Sequence, residues 1–151
     1  MKYKKNLIKA ILISILLIPI STIAQDDIQD IELALSNFLD ALSKGEKDRF
    51  ESMFTENNTV FSPFPWATKR STVQDSFAQL FEMLSARPPG QSGGGLQPED
   101  LAINVFDNVA LITFHLNNNP NTLGRRTVIM VKEMDSWKVQ HLHASSSQLP
   151  E

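Results

Sequence analysis

Cysteine is absent from the 151 residues. That excludes a disulfide scaffold, thiol catalysis, cysteine-ligated zinc and iron–sulfur chemistry. It also leaves no cysteine for a bacterial lipid anchor. No G-x-S-x-G nucleophile motif occurs. The glycine-rich stretch Gln91-Ser-Gly-Gly-Gly95 lacks the Lys-Ser/Thr pair and the preceding strand of a phosphate loop, so it reads as a linker or a mobile flap. No repeat is visible, and the length suits one domain.

The first 24 residues stand apart. Lys2, Lys4, Lys5 and Lys9 form a basic start with no acid. Ala10 to Ile20 is apolar except for Ser14, and Pro19 interrupts its end. Ser21-Thr-Ile-Ala24 then supplies small residues at a cleavage position. This is the layout of a secretory signal peptide, and the apolar run is short of the ~20 residues that span a bilayer. The expected domains are therefore a signal peptide over 1–24 and a single domain over 25–151, secreted or periplasmic, with no membrane contact after cleavage. Without the four lysines, the chain from Gln25 carries 10 basic and 17 acidic side chains, a net charge of −7. Lys69-Arg70 and Arg125-Arg126 are isolated pairs, so no nucleic-acid partner is expected.

The 42% of hydrophobic residues is enough for a core. Ile28, Ile31, Leu35, Phe38, Leu39 and Leu42 fall on one helical stripe that Gly45 ends. A second helix is expected from about Glu46 to Phe54, with a turn at Thr55–Asn58 and a short strand at Thr59–Phe61. Ser71 and Gln74 form a capping-box pattern for a third helix, whose inner face is Val73, Phe77, Leu80, Phe81 and Leu84. The rest alternates as strands: two hairpins turn at Asp107-Asn108 and Asp135-Ser136. Helices first and a meander after them predict an α+β domain, with helices packed on one face of a curved antiparallel sheet.

A two-residue turn at Asp135-Ser136 sets the faces of the second hairpin. Trp137, His141 and His143 then share a surface with Met130 and Arg126, and Glu133 opposes Lys138. In the first hairpin the same arithmetic sets Asp100 opposite His115.

Two stretches of the chain resemble a known family. One is Phe38-Leu-Asp-Ala-Leu-Ser-Lys-Gly-Glu-Lys-Asp with Phe50 and Met53 to Val60. The other is Arg126 to Glu133 with the ending Trp137-Lys-Val-Gln-His-Leu-His-Ala-Ser145. Over roughly Ile28 to Ser146 the chain resembles the SnoaL-like division of the nuclear-transport-factor-2-like (NTF2-like) superfamily. The resemblance implies a cone: three helices in the hollow of a strongly bent sheet, with a pocket at the open end and sheets that commonly pair into dimers. It implies no single reaction, since such folds host isomerases, dehydratases, hydrolases and non-enzymes. The steroid isomerases of the superfamily use an Asp base with a Tyr and a protonated Asp in the oxyanion hole. Here those positions fall on Ser62, on Phe38 and near Val131 or Lys132. None can take the role, so that mechanism is not expected.

The candidate chemistry is correspondingly sparse. His141 and His143, about 7 Å apart along a strand, could shuttle a proton or hold a ligand. A metal would need a third ligand that this face does not offer, so no metal and no cofactor is expected. His115 with Asp100 could form an oriented acid–base dyad or a plain cross-strand contact. Trp66, in the loop before the third helix, could stack on a ligand, and Arg126 could hold a carboxylate. The expected ligand pocket is Trp66, Arg126, Met130, His141 and His143, with no catalytic residue assigned. The reading is an exported protein that binds a small, partly apolar organic molecule. Two alternatives stand beside it: a cofactor-independent isomerase, dehydratase or hydrolase using a pocket histidine, and a non-catalytic homodimerisation module.

Overall fold

The computed structural model describes residues 21–88, 95–116 and 121–149, with side chains from residue 25. Residues 1–20 of the expected signal peptide, and 91–94 of the glycine-rich stretch, lie outside the described residues. Helix α1 (Ser21–Lys44) buries Ile31, Leu35, Phe38 and Leu39, the stripe that the sequence predicts. It stops at Gly45, whose φ of +72° is left-handed. There the Glu46 amide reaches back to the Ala41 carbonyl (3.0 Å) and the Gly45 amide to that of Leu42 (3.2 Å). This is a Schellman closure, which favours glycine.

Helix α2 (Lys47–Ser52) is shorter than expected, and strand β1 (Phe54–Phe61) starts where the sequence suggests a turn. Cross-strand bonds override the local turn preference of Thr55–Asn58. The Thr55 hydroxyl donates to Gln140 Oε1 (3.0 Å), and Gln140 Nε2 donates to the Asn57 carbonyl (2.8 Å). Buried Asn58 donates to the Thr55 carbonyl (2.8 Å) and accepts from the Val73 amide (2.8 Å). Helix α3 (Val73–Ser85) is capped by Thr72, not Ser71, through the Asp75 amide at 3.4 Å. Ser71 instead bridges to Val60 through two backbone bonds.

Strands β2 (Glu99–Phe106), β3 (Val109–His115), β4 (Thr122–Glu133) and β5 (Ser136–Gln148) follow. The order is α+β, and the five strands form a curved, unclosed sheet ordered β1-β5-β4-β3-β2. All neighbours are antiparallel except β1 and β5, which run parallel, so the expected purely antiparallel sheet has one parallel edge. Among the described residues no helix is long and apolar enough to cross a membrane.

The second hairpin differs from its expected register in two places. The turn is Met134-Asp135, with Met134 at φ +54°, so Glu133 pairs with Ser136 and Met130 with Val139. Lys138 therefore opposes Val131 and donates to the Ser52 carbonyl (3.0 Å) instead of meeting Glu133. Beyond Val139 the register shifts, and Ile129 pairs with His141. Gln140 is the extra residue of a β-bulge, and a bulge exchanges the two faces of the strand beyond it. Trp137 and Val139 face the helices before it; Leu142 and Ala144 do so after it.

The first hairpin turns at Asp107-Asn108 as expected, but a second irregularity lies between Glu99 and Ala102. Asp100 sits there at φ +51°, and Glu99, not Asp100, opposes His115.

Between helices and sheet lies a phenylalanine cluster. Fully buried Phe50 has the rings of Phe38 and Phe77 at 4.9 Å, Phe54 at 5.3 Å and Phe81 at 5.4 Å. Such offset and tilted pairs add to the burial of apolar area.

Candidate functional site

Beside this cluster the same layer is not filled. A cavity of about 530 Å³ opens there. Helix α1 contributes Phe38, Leu39, Leu42 and Ser43 to its wall, and α3 contributes Phe77, Leu80 and Leu84. Pro63 and Phe64 close one side, and Arg87, Gly95 and Leu96 form another. The sheet supplies Phe114, Leu116, Arg126, Leu142 and Ala144. A largely apolar concavity with few polar groups is the usual form of a small-molecule site.

Arg126 is the one charged side chain that the sheet sends into this wall. Its Nη1 donates to the backbone carbonyls of Arg125 (2.8 Å) and Ser145 (3.0 Å). Burial lowers its pKa below the ordinary arginine value, because a charged group loses hydration there. Gly124 lies beside the guanidinium and against the neighbouring strand. A Cβ at that position would stand 3.3 Å from both Nη1 and Nη2, and 2.3 Å from the Leu116 carbonyl oxygen.

The other expected pocket residues separate. His141 and His143 lie on the outer face of β5, away from the cavity, because the Gln140 bulge turns the strand over. This corrects the shared face expected for them with Arg126 and Met130. There, Phe61 of β1 packs against both imidazoles, with ring centres 6.0 Å from His141 and 5.7 Å from His143. His141 Nδ1 is 2.7 Å from the Thr59 hydroxyl. Its pKa is lowered, first by burial and then by the nearby His143 and Arg70.

Met130 does face the helices, but it is fully buried and borders a separate cleft of about 340 Å³ with Trp137. Trp66 is 40% exposed and does not line the cavity; it stacks on Phe64, which does (ring centres 4.8 Å apart). His115 Nδ1 is 3.9 Å from Asp100 Oδ2, close in space as expected, but Asp100 is 84% exposed and neither lines the cavity. No group of three or more His, Asp or Glu side chains that could hold a metal occurs among the described residues. The wall residues that sequence reasoning missed, such as Leu116, Leu142 and Ala144, read as ordinary strand core. Nothing local distinguishes an apolar side chain facing a void from one facing a ring.

The family model described as the SnoaL-like domain matches residues 31–148. The chain belongs to the SnoaL-like family. Solved structures agree on the fold. A protein of Novosphingobium aromaticivorans, provisionally named a scytalone dehydratase, superposes with a TM-score of 0.65 at 15% identity; the match covers 87% of this chain and 93% of that one. A protein of the NTF2-like family from Streptomyces avermitilis, provisionally named a dehydratase, has a TM-score of 0.65 at 17% identity, covering 83% and 99%. The CaMKII hub of S. rosetta has a TM-score of 0.60 at 19% identity, covering 79% and 95%. At these identities the likeness shows the fold alone. No curated protein matches the chain. Within this SnoaL-like domain, Phe38 stands on α1 at the cavity wall and Ser62 precedes the wall residue Pro63. Ser62 accepts a bond from the Phe64 amide (3.2 Å). A phenyl ring cannot donate a hydrogen bond, and this serine hydroxyl has no basic partner among the described residues.

Proposed function

We propose that this SnoaL-like protein binds a small, mostly apolar organic molecule in the cavity between α1, α3 and the sheet. The observation that carries the reading is the cavity itself. Protein interiors are packed like organic crystals, with few voids larger than a water molecule. Here about 530 Å³ of partly open space under a mostly apolar wall is left unfilled, enough for a small organic molecule. The enzyme alternative named a pocket histidine, and none of the three histidines is among the wall residues. What remains for chemistry there is the Ser43 hydroxyl, already bonded to the Asp40 carbonyl (2.9 Å), with Arg87 and Arg126, both cations that neither give up nor take a proton near neutral pH.

The test is a thermal-shift screen of the purified protein against small apolar acids, alcohols and aromatics, with Ala144→Trp beside it. A ligand at 100 times its Kd adds about 2.7 kcal/mol to stability. A shift seen in the parent and lost in Ala144→Trp supports the reading. No shift across the panel overturns it.

Export belongs to the same proposal. Among the described side chains of α1, which begin at Gln25, Ile31 is the first buried one. Amino-terminal sequencing of protein recovered outside the cytoplasm should begin at Gln25; a mature form beginning at Met1 refutes it. Homodimerisation is the remaining part. Phe61 is 42% exposed on the outer sheet face, and hub domains share the fold. Sedimentation equilibrium tests it, and a monomer at tens of micromolar would rule it out.

A further inference from the structure

We infer that the ligand of the cavity is an organic acid, and that Arg126 is the counter-ion of its carboxylate. The inference rests on the proposed reading of the cavity as a ligand site and names the chemical class it takes.

Three observations carry it. First, Arg126 has no carboxylate within ion-pair distance among the described residues, and no Asp or Glu lines the cavity. Arg126 is half-buried, so its charge loses part of its hydration without gaining a counter-ion, and the two carbonyls on Nη1 orient the guanidinium without neutralising it. Second, among the described residues the only other charged one in the wall is Arg87, again a cation. The chain from Gln25 has a net charge of −7, yet the charged side chains that line this cavity are basic. Charge of one sign in a low-dielectric concavity concentrates ions of the other sign. Third, Gly124 lies beside the guanidinium: a Cβ there is barred first by the Leu116 carbonyl oxygen at 2.3 Å, and it would also press on both Nη atoms at 3.3 Å, so the side chain the sheet excludes leaves the cation its place. The remaining wall is Leu, Phe, Pro, Ala and Gly95, plus Ser43, whose hydroxyl already donates to the Asp40 carbonyl (2.9 Å). The fitting molecule is therefore amphipathic, with one acidic head for the guanidinium and an apolar body for the walls. Arginine's planar fork matches a carboxylate in two parallel bonds.

The test compares decanoate with decanamide, its neutral isostere, by calorimetric titration. The proteins are the parent, Arg126→Gln, Arg126→Lys and Ala144→Trp. The parent is expected to bind decanoate at least tenfold more tightly than decanamide. Arg126→Gln should erase that preference while leaving decanamide binding in place. Arg126→Lys, which keeps the charge but not the fork, should retain a reduced preference and guards against a folding defect in the glutamine variant. Ala144→Trp should abolish both. Equal binding of the two probes to the parent, or a preference that survives in Arg126→Gln, overturns the acid inference and leaves the cavity reading intact. Binding of neither probe, or of both in Ala144→Trp, overturns the cavity reading together with it.

Discussion

The space between the helices and the sheet is closed at one end and open at the other, and the two ends are built from similar material. Around Phe50, five phenylalanine rings from α1, α2, β1 and α3 meet within 6.4 Å of a neighbour. A turn of helix away, Leu42, Leu84, Leu116 and Ala144 face one another across a void, with Arg126 among them. Hydrophobicity alone therefore does not decide what a layer does. Side-chain size and the one polar group among the apolar ones separate a core from a site.

Truncation should split the two ends most clearly. Phe50→Ala opens a cavity where four rings converge and should cost about 3–5 kcal/mol in chemical denaturation. Leu84→Ala, on the open wall and only half-buried, has fewer contacts to lose and should cost less than half as much. Equal losses would mean that the open end is packed in solution. A smaller effect is expected at the seam. Gly124→Ala forces a methyl group to within 2.3 Å of the Leu116 carbonyl oxygen, against the backbone bond from the Leu116 amide to the Gly124 carbonyl (2.8 Å). Overpacking of this kind costs about 1–3 kcal/mol, and here it should also weaken decanoate binding, because the strand carries Arg126. Ala144→Phe is the mirror of the first pair. It adds a ring to the open end, where there is room for one, so the melting temperature should hold or rise while ligand-induced shifts vanish.

The filled end was legible in the sequence and the open end was not, for a physical reason. Ile31, Leu35, Phe38 and Leu39 on α1, and Val73, Phe77 and Phe81 on α3, follow from periodicity, and periodicity reports which face is inward. It does not report whether that face meets another side chain. Arg126 was legible because β4 runs without a bulge through that stretch and keeps its alternation. The histidines were misassigned because their side of β5 depends on the single extra residue Gln140. Its amide is held by Thr55 and Asn57, 85 and 83 residues earlier in the chain. No local pattern around Gln140 signals that clasp. The turn slipped for a similar reason: Met134 in a left-handed conformation is a poor guess from propensity beside Asp135-Ser136.

The outer face that the bulge created offers the finest test of the contrast. His141 there has a pKa below the ordinary 6.5, because burial, then His143 and Arg70, disfavour its charged form; only the Thr59 bond works the other way. A lowered pKa in the folded chain means that the unfolded chain binds the proton more readily. Protonation therefore opposes folding, stability is whole above about pH 6.5, and it declines as the pH falls below that value. His141→Asn cannot take up the proton and should flatten the profile between pH 7 and pH 5, measured by urea denaturation at closely spaced pH values. The same variant should bind decanoate as the parent does, since the side chain faces away from the cavity. If His141→Asn instead removes ligand binding and leaves the pH profile unchanged, the two faces of β5 have been assigned the wrong way round.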